Sequence, residues 1–245
     1  MSGHLTFRSG NPALNKNTFK TVSSDTGNQM TLEGTVNKTG ISLLILMIAA
    51  FFTWDGQRLF LIPVGMIGGL IFALATIFKH TWSPITVPLY AAFKGLALGG
   101  ISIIFEQMYP GIVSQAIFLT FGVLGALLTA YKTGLIKPTE NFKLGVVAAT
   151  GGIALVYLIS FIMSLFGGSI PLIHSASPMG IGFSIVVVTI AALNLVLDFD
   201  FIEQGSERGI PKYMEWYGAF GLLVTLIWLY LEILRLLSKL YSNRN

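Results

Sequence analysis

The sequence predicts an all-α integral membrane protein with seven transmembrane helices, and three observations carry that prediction. Mean hydropathy is +0.75. Of the 245 residues only 11% are charged and 53% are hydrophobic, where an ordinary soluble domain carries about 25% charged residues. Seven apolar stretches then follow one another, each close to the ~20 residues that cross hydrocarbon as a helix. A single apolar run satisfies its backbone groups in lipid only by coiling, and the alternation of a barrel strand is missing.

Residues 1–39 are polar, rich in Asn, Thr, Ser and Gly. They read as a mobile tail with no early apolar run, so no cleavable signal peptide is expected. Residues 40–240 read as one seven-helix domain. The expected spans are 37–54, 59–78, 85–105, 112–131, 145–166, 180–200 and 217–237. "WDGQR" (54–58) and "EQMYPG" (106–111) are tight turns, and "KTGLIKPTENFK" (132–143) is the longest basic loop. Small residues recur at helical spacing: "GMIGG" (65–69), Gly95 with Gly99 and Gly100, "GVLGA" (122–126), and Gly145 with Ala149. Such pairs let helix backbones approach closely, and that is the expectation for most of them.

Lys and Arg orient the bundle. Arg8, Lys16, Lys20 and Lys38, Lys79, the trio Lys132, Lys137 and Lys143, and then Arg208 and Lys212 all fall on one side; only Arg58 lies in the opposite short loops. By the positive-inside rule the N-terminus is cytoplasmic. Lys239 and Arg244 oppose that trend at the far end. The expected surroundings are the lipid bilayer, and no nucleic-acid partner is expected.

Several chemistries have no residues to carry them. Cysteine is absent, which removes disulfides, iron–sulfur clusters and thiolate metal sites. No Gly-x-Ser-x-Gly elbow and no His-Glu-x-x-His occurs, and Asp198 lacks the Gly-x-Gly that precedes an intramembrane protease aspartate. No catalytic activity and no bound cofactor are expected. His174 reads as an ordinary loop residue, and Glu203, Glu207 and Glu215 as a solvated loop face.

The ionisable residues within the spans are the candidate site. Each costs at least ~2.5–3.5 kcal/mol at the centre of a membrane helix, so such groups pair, face water or lose their charge. Lys94 lies mid-depth in the third span. Asp198 and Asp200 close the sixth, with Asn194 on the face of Asp198. Glu232 lies in the seventh with Arg235 three residues on, in the stripe Thr225, Trp228, Glu232, Arg235, Lys239. Two polar stripes at helical spacing point to a polar bundle interior. Blander readings stand beside this one: the aspartates marking a helix end, Glu232 neutralising Arg235, and Lys94 snorkelling.

"VLDFDFIEQGSERG" and "WLYLEILRLL" resemble the last two helices of the Bax-inhibitor, or transmembrane Bax-inhibitor-motif, family. "YAAFKGLALGGISIIFEQMYPGIVSQAIFLTFGVLGALLTAYKTG" (90–134) resembles its central hairpin, and "FRSGNPALNKNTF" is similar to its bacterial, Bax inhibitor 1-like branch. The resemblance covers nearly the whole chain, with residues 135–180 the least distinctive. It implies six helices surrounding the C-terminal one, a bacterial inner membrane, and a calcium leak with an acidic pair on the last two helices as pH sensor. Asp198 matches the first acidic position. Glu232 matches the second, where many relatives have Asp, at a longer separation than the family's pattern.

On that basis the expected function is a pH-sensitive calcium leak channel. Asp198 and Glu232 would share a proton and latch the sixth and seventh helices, since two facing carboxylates in a low dielectric do not both ionise cheaply. They would also be oxygen donors to calcium, supported by Asp200, Asn194, Arg235 and Lys94, the last beside an acid. The alternative is a non-conducting regulator that binds other membrane proteins, its acidic residues a structural lock.

Overall fold

In the computed structural model the described residues are 29–168, 170, 173 and 175–243. Residues 1–28 of the expected tail, and His174, lie outside them. Seven helices follow in order: α1 (Leu32–Phe52), α2 (Leu61–Phe78), α3 (Ser83–Met108), α4 (Ile112–Lys132), α5 (Glu140–Leu165), α6 (Pro178–Glu207) and α7 (Met214–Ser242). All are long and apolar enough to cross a membrane, so the protein is a multi-pass membrane protein. The last, at 29 residues, reaches about 43 Å at 1.5 Å per residue. It is also the most buried, 61% of its apolar window lying inside the protein against 11% for α1. The one isolated β-bridge among the described residues joins Gln29 and Pro211.

Several helix ends lie outside their expected limits, α1, α5 and α7 starting early and α3, α6 and α7 running on, because hydropathy reports depth in lipid, whereas helices start and stop on caps. Residues 32–39, placed in the tail from their polarity, are the first two turns of α1. Thr31 takes extended backbone angles and its hydroxyl accepts from Gly34 N at 2.9 Å, an N-cap, and Glu33 complements the helix dipole. Helix α6 continues past residue 200 to Glu207 and stops where Gly209 turns at φ 60°, a conformation glycine adopts without strain. Helix α7 starts at Met214 rather than 217.

The described residues divide into two compact units, 29–113 with 200–224, and 114–199 with 225–243. In the first, α3 is packed on α1 and α2 through glycine. A Cβ at Gly95 or Gly99 would overlap the carbonyl oxygens of Leu46 and Ala50, and one at Gly65 would lie 2.5 Å from Phe93 O. Thr53 Oγ1 reaches Leu96 O at 3.0 Å, and Thr76 Oγ1 donates to Thr86 Oγ1 at 2.7 Å in a buried contact. Glu106 accepts from the amides of Gly111 and Val113 at 2.6 and 3.1 Å, supplying the anion that the N-terminus of α4 favours.

The same unit corrects the reading of Glu215 as solvated. It is fully buried. Its carboxylate accepts from Thr31 N at 3.0 Å and Thr31 Oγ1 at 2.9 Å, and is paired with Lys38. Met30 N donates to Ile210 O at 2.7 Å alongside. A Cβ at Gly34 would overlap the Glu215 carboxylate, so glycine is what lets the chain pass there.

In the second unit the glycines behave differently. Gly122, Gly125 and Gly145 have nothing within 4 Å of an added Cβ. The expectation that "GVLGA" and Gly145 mark close helix contacts therefore fails, and the spacing that serves in α2 and α3 serves no packing in α4 and α5.

Candidate functional site

In the unit of residues 114–199 and 225–243, α5, α6 and α7 present polar side chains to one another at four levels. Asp198 on α6 is wholly buried, and its Oδ2 accepts from Thr225 Oγ1 on α7 at 2.5 Å. One turn back along α6, Asn194 Nδ2 donates to Thr150 Oγ1 on α5 at 2.9 Å and to Ile190 O at 2.8 Å. Asn194 Oδ1 is buried and has no hydrogen-bond partner among the described residues. Two turns beyond Thr150 and Thr225, Tyr157 on α5 donates to both Glu232 oxygens on α7 at 2.9 and 3.0 Å. Arg235 closes that group, 2.7 Å from Tyr157 Oη and 3.0 Å from each Glu232 oxygen. Further on, Lys239 Nζ donates to Gly180 O at 2.9 Å and Ser184 Oγ at 2.8 Å.

These pairings fix the helix directions. Residue numbers rise together on α5 and α7 and fall on α6, so α6 runs antiparallel to the other two. From Thr225 to Lys239 the ladder climbs about 21 Å at 1.5 Å per residue, roughly two-thirds of a ~30 Å hydrocarbon core. Between its levels α6 offers only Val187 and Ala191, both wholly buried; there the polar groups come from α5 and α7. Two buried carboxylates, Arg235 and Lys239 make the column neutral when all are ionised, and each charge is hydrogen-bonded, which is what permits its burial.

The sequence pattern of the family described as Bax inhibitor 1 like matches residues 11–242. The chain belongs to that family. No curated protein and no solved structure matches it.

In this Bax inhibitor 1 like protein the expected site residues are distributed as follows. Asp198, Asn194, Glu232 and Arg235 all lie in the column. Asp198 and Glu232 do not form the expected pair in it: the residue bonded to Asp198 is Thr225, and Glu232 is held by Tyr157 and Arg235. Thr225 and Glu232 are seven residues apart on one helix, about 10 Å of rise, and both Glu232 oxygens are bonded to Tyr157 and Arg235.

Asp200, two residues from Asp198, points elsewhere, as a helix requires. It is half-buried and accepts from Gln204 Nε2 at 2.6 Å. The carboxylate expected beside Lys94 is not there either. Among the described residues no hydrogen bond or ion pair reaches Lys94; its ammonium lies 6.0 Å from the centroid of the Tyr90 ring, and its stem covers Gly69. The ring face supplies cation–π attraction in place of a carboxylate.

Thr150, Tyr157 and Ser184 of the column were missed in the sequence. Thr150 and Tyr157 fall in its least distinctive stretch. The available signal was their spacing, two turns on one face of α5, which matches the spacing of Thr225 and Glu232 on α7.

Proposed function

We propose that the protein is a cation leak, calcium being the permeant ion, and that the column on α5, α6 and α7 is its path. The observation that carries this reading is the ladder itself: two buried carboxylates, an underused amide oxygen and four hydroxyls stacked through most of a membrane's thickness. Hydrocarbon-facing helices have no use for such groups, and hard cations take oxygen ligands. Family membership agrees with the reading. The Lys/Arg asymmetry supports a cytoplasmic N-terminus, with α6 carrying Asp198 toward the cytoplasmic side, and the membrane of this reading is a bacterial inner membrane, as the resemblance implies. Sensitivity to pH then arises at Asp198, whose affinity for a cation needs its charge, rather than from a proton shared with Glu232. The test is calcium entry into liposomes holding the purified protein, followed across pH. Asp198→Asn should abolish both the flux and its fall on acidification. Wild-type protein that passes no calcium at any pH sinks the reading.

One observation favours a non-conducting regulator of other membrane proteins. Every charge in the column has an intramolecular partner, as a structural lock would. In that case Asp198→Asn lowers stability and changes no flux.

A further inference from the structure

Lys239 is a buried ammonium whose bonded partners are neutral. It is 5% exposed and donates to Gly180 O at 2.9 Å and Ser184 Oγ at 2.8 Å. An ammonium has three donors, and among the described residues nothing accepts the third. Buried charges are as a rule paired, yet the same unit has no carboxylate to spare. In residues 114–199 and 225–243 the acidic side chains are Glu140, Asp198 and Glu232. Glu140 lies 3.7 Å from Lys143. Asp198 is bonded at the level of Thr225, about 21 Å of rise from Lys239, and Glu232 is held by Tyr157 and Arg235. The column is neutral only over its whole length, and its Lys239 end holds two cations to one anion. Arg235 has donors left as well. A guanidinium carries five; Nη1 makes the bonds to Tyr157 and Glu232, while among the described residues Nη2 and Nε make none, and 36% of the side chain is exposed.

We propose that Arg235 and Lys239, one turn apart on α7, form with the first turn of α6 a site for a phosphate group. The Nε and Nη2 edge of Arg235 presents the two-donor fork that recognises phosphate oxygens, and Lys239 adds a point charge and its third N–H. Helix α6 begins at Pro178, beside the Gly180 carbonyl that Lys239 bonds, so the positive end of its dipole favours the same anion. The level in the membrane fits a lipid headgroup. Two residues beyond Lys239, Tyr241 Oη accepts from Gln115 Nε2 at 2.8 Å, and tyrosines with a polar contact at the ring tip mark the membrane–water interface. The phosphate is therefore that of an anionic lipid or a free phosphate ion. The site asks nothing of the column as a cation path and stands whether or not the protein conducts.

The experiment is thermal unfolding of the purified full chain in detergent with two probes. Phosphatidylglycerol is compared with phosphatidylcholine, and sodium phosphate with sodium chloride at equal ionic strength. Wild type should gain about 3–6 °C from a probe some tenfold above its dissociation constant. Lys239→Met, which keeps the length of the stem and removes the charge, should lose most of that gain. Lys132→Met, which removes a charge of the basic loop instead, should keep it. A gain from phosphatidylglycerol alone makes the occupant a lipid headgroup; a gain from sodium phosphate makes it a free ion; either supports the site when it depends on Lys239. No gain from either probe, an undiminished gain in Lys239→Met, or an equal loss in Lys132→Met overturns the proposal. Arg235→Lys keeps a charge beside Glu232 and removes the fork, so its gain should fall to less than about half of wild type. That variant decides the matter if Lys239→Met does not fold, an undiminished gain again overturning the site.

Discussion

Thr225→Val removes the hydroxyl that donates to Asp198 and changes little else, because the two side chains have nearly the same shape. The bond is 2.5 Å long, its acceptor is a carboxylate, and both residues are buried. Interhelical hydrogen bonds in membrane proteins average about 0.6 kcal/mol and reach about 1.7 kcal/mol. Bonds to ionised groups are roughly twice as strong as neutral ones. A loss of about 1.5–2.5 kcal/mol is therefore expected, a fall in Tm of about 3–10 °C for a chain of this size. The assay is thermal unfolding in detergent near neutral pH, arranged as two double-mutant cycles. With Asp198→Asn the two changes should couple by about 1 kcal/mol or more, because they remove one contact. With Glu232→Gln, about 10 Å along α7, they should add to within about 0.5 kcal/mol. Strong coupling of Thr225 or Asp198 to Glu232, with none between Thr225 and Asp198, would restore the direct carboxylate pair and refute the assignment.

Gly99→Leu should cost at least about 1–3 kcal/mol, because a side chain there meets the Ala50 carbonyl and Thr53; Gly125→Leu should melt within about 1 kcal/mol of wild type, and equal losses would show that α4 packs after all. Glu215→Gln should cost about 2–4 kcal/mol by stranding Lys38, and Glu215→Gln with Lys38→Met should recover part of it; a wild-type Tm in the single variant would place the pair in solvent. With no native cysteine, Thr133→Cys should label from the cytoplasm and Gln57→Cys from outside; reversed labelling would sink the orientation.

The helix count was legible because burial in lipid demands long apolar runs. The helix ends were less so, because Thr31 and Gly209 act by hydrogen bonding and backbone angle, which hydropathy does not weigh. Gly95 and Gly99 were read correctly and Gly122 and Gly125 were not, although the local pattern is the same; what differs is whether another helix lies opposite. At the site, the stripe on α7 and the Asn194–Asp198 face were visible as polar groups at helical spacing. Their pairing was not. Which residue of α7 meets Asp198 depends on how far two helices slide past each other, and the early start of α7 and late end of α6 brought Thr225 to that level.

Of the two charges that opposed the orientation rule, Arg244 lies outside the described residues, and Lys239 is buried against Gly180 and Ser184, so its ammonium is bonded inside the protein rather than held in a loop.

The Lys38–Glu215 pair also sets a clock on biosynthesis. Its partners are 177 residues apart, and at roughly 5–20 residues per second the lysine waits about 10–35 s for its carboxylate to be made. Through that interval α1 carries in its second turn an ammonium without its carboxylate, and Thr31 lacks the acceptor it bonds in the finished fold. The first helix to be synthesised is therefore among the last to be finished, and translation pausing before Met214 would hold its N-terminal end open.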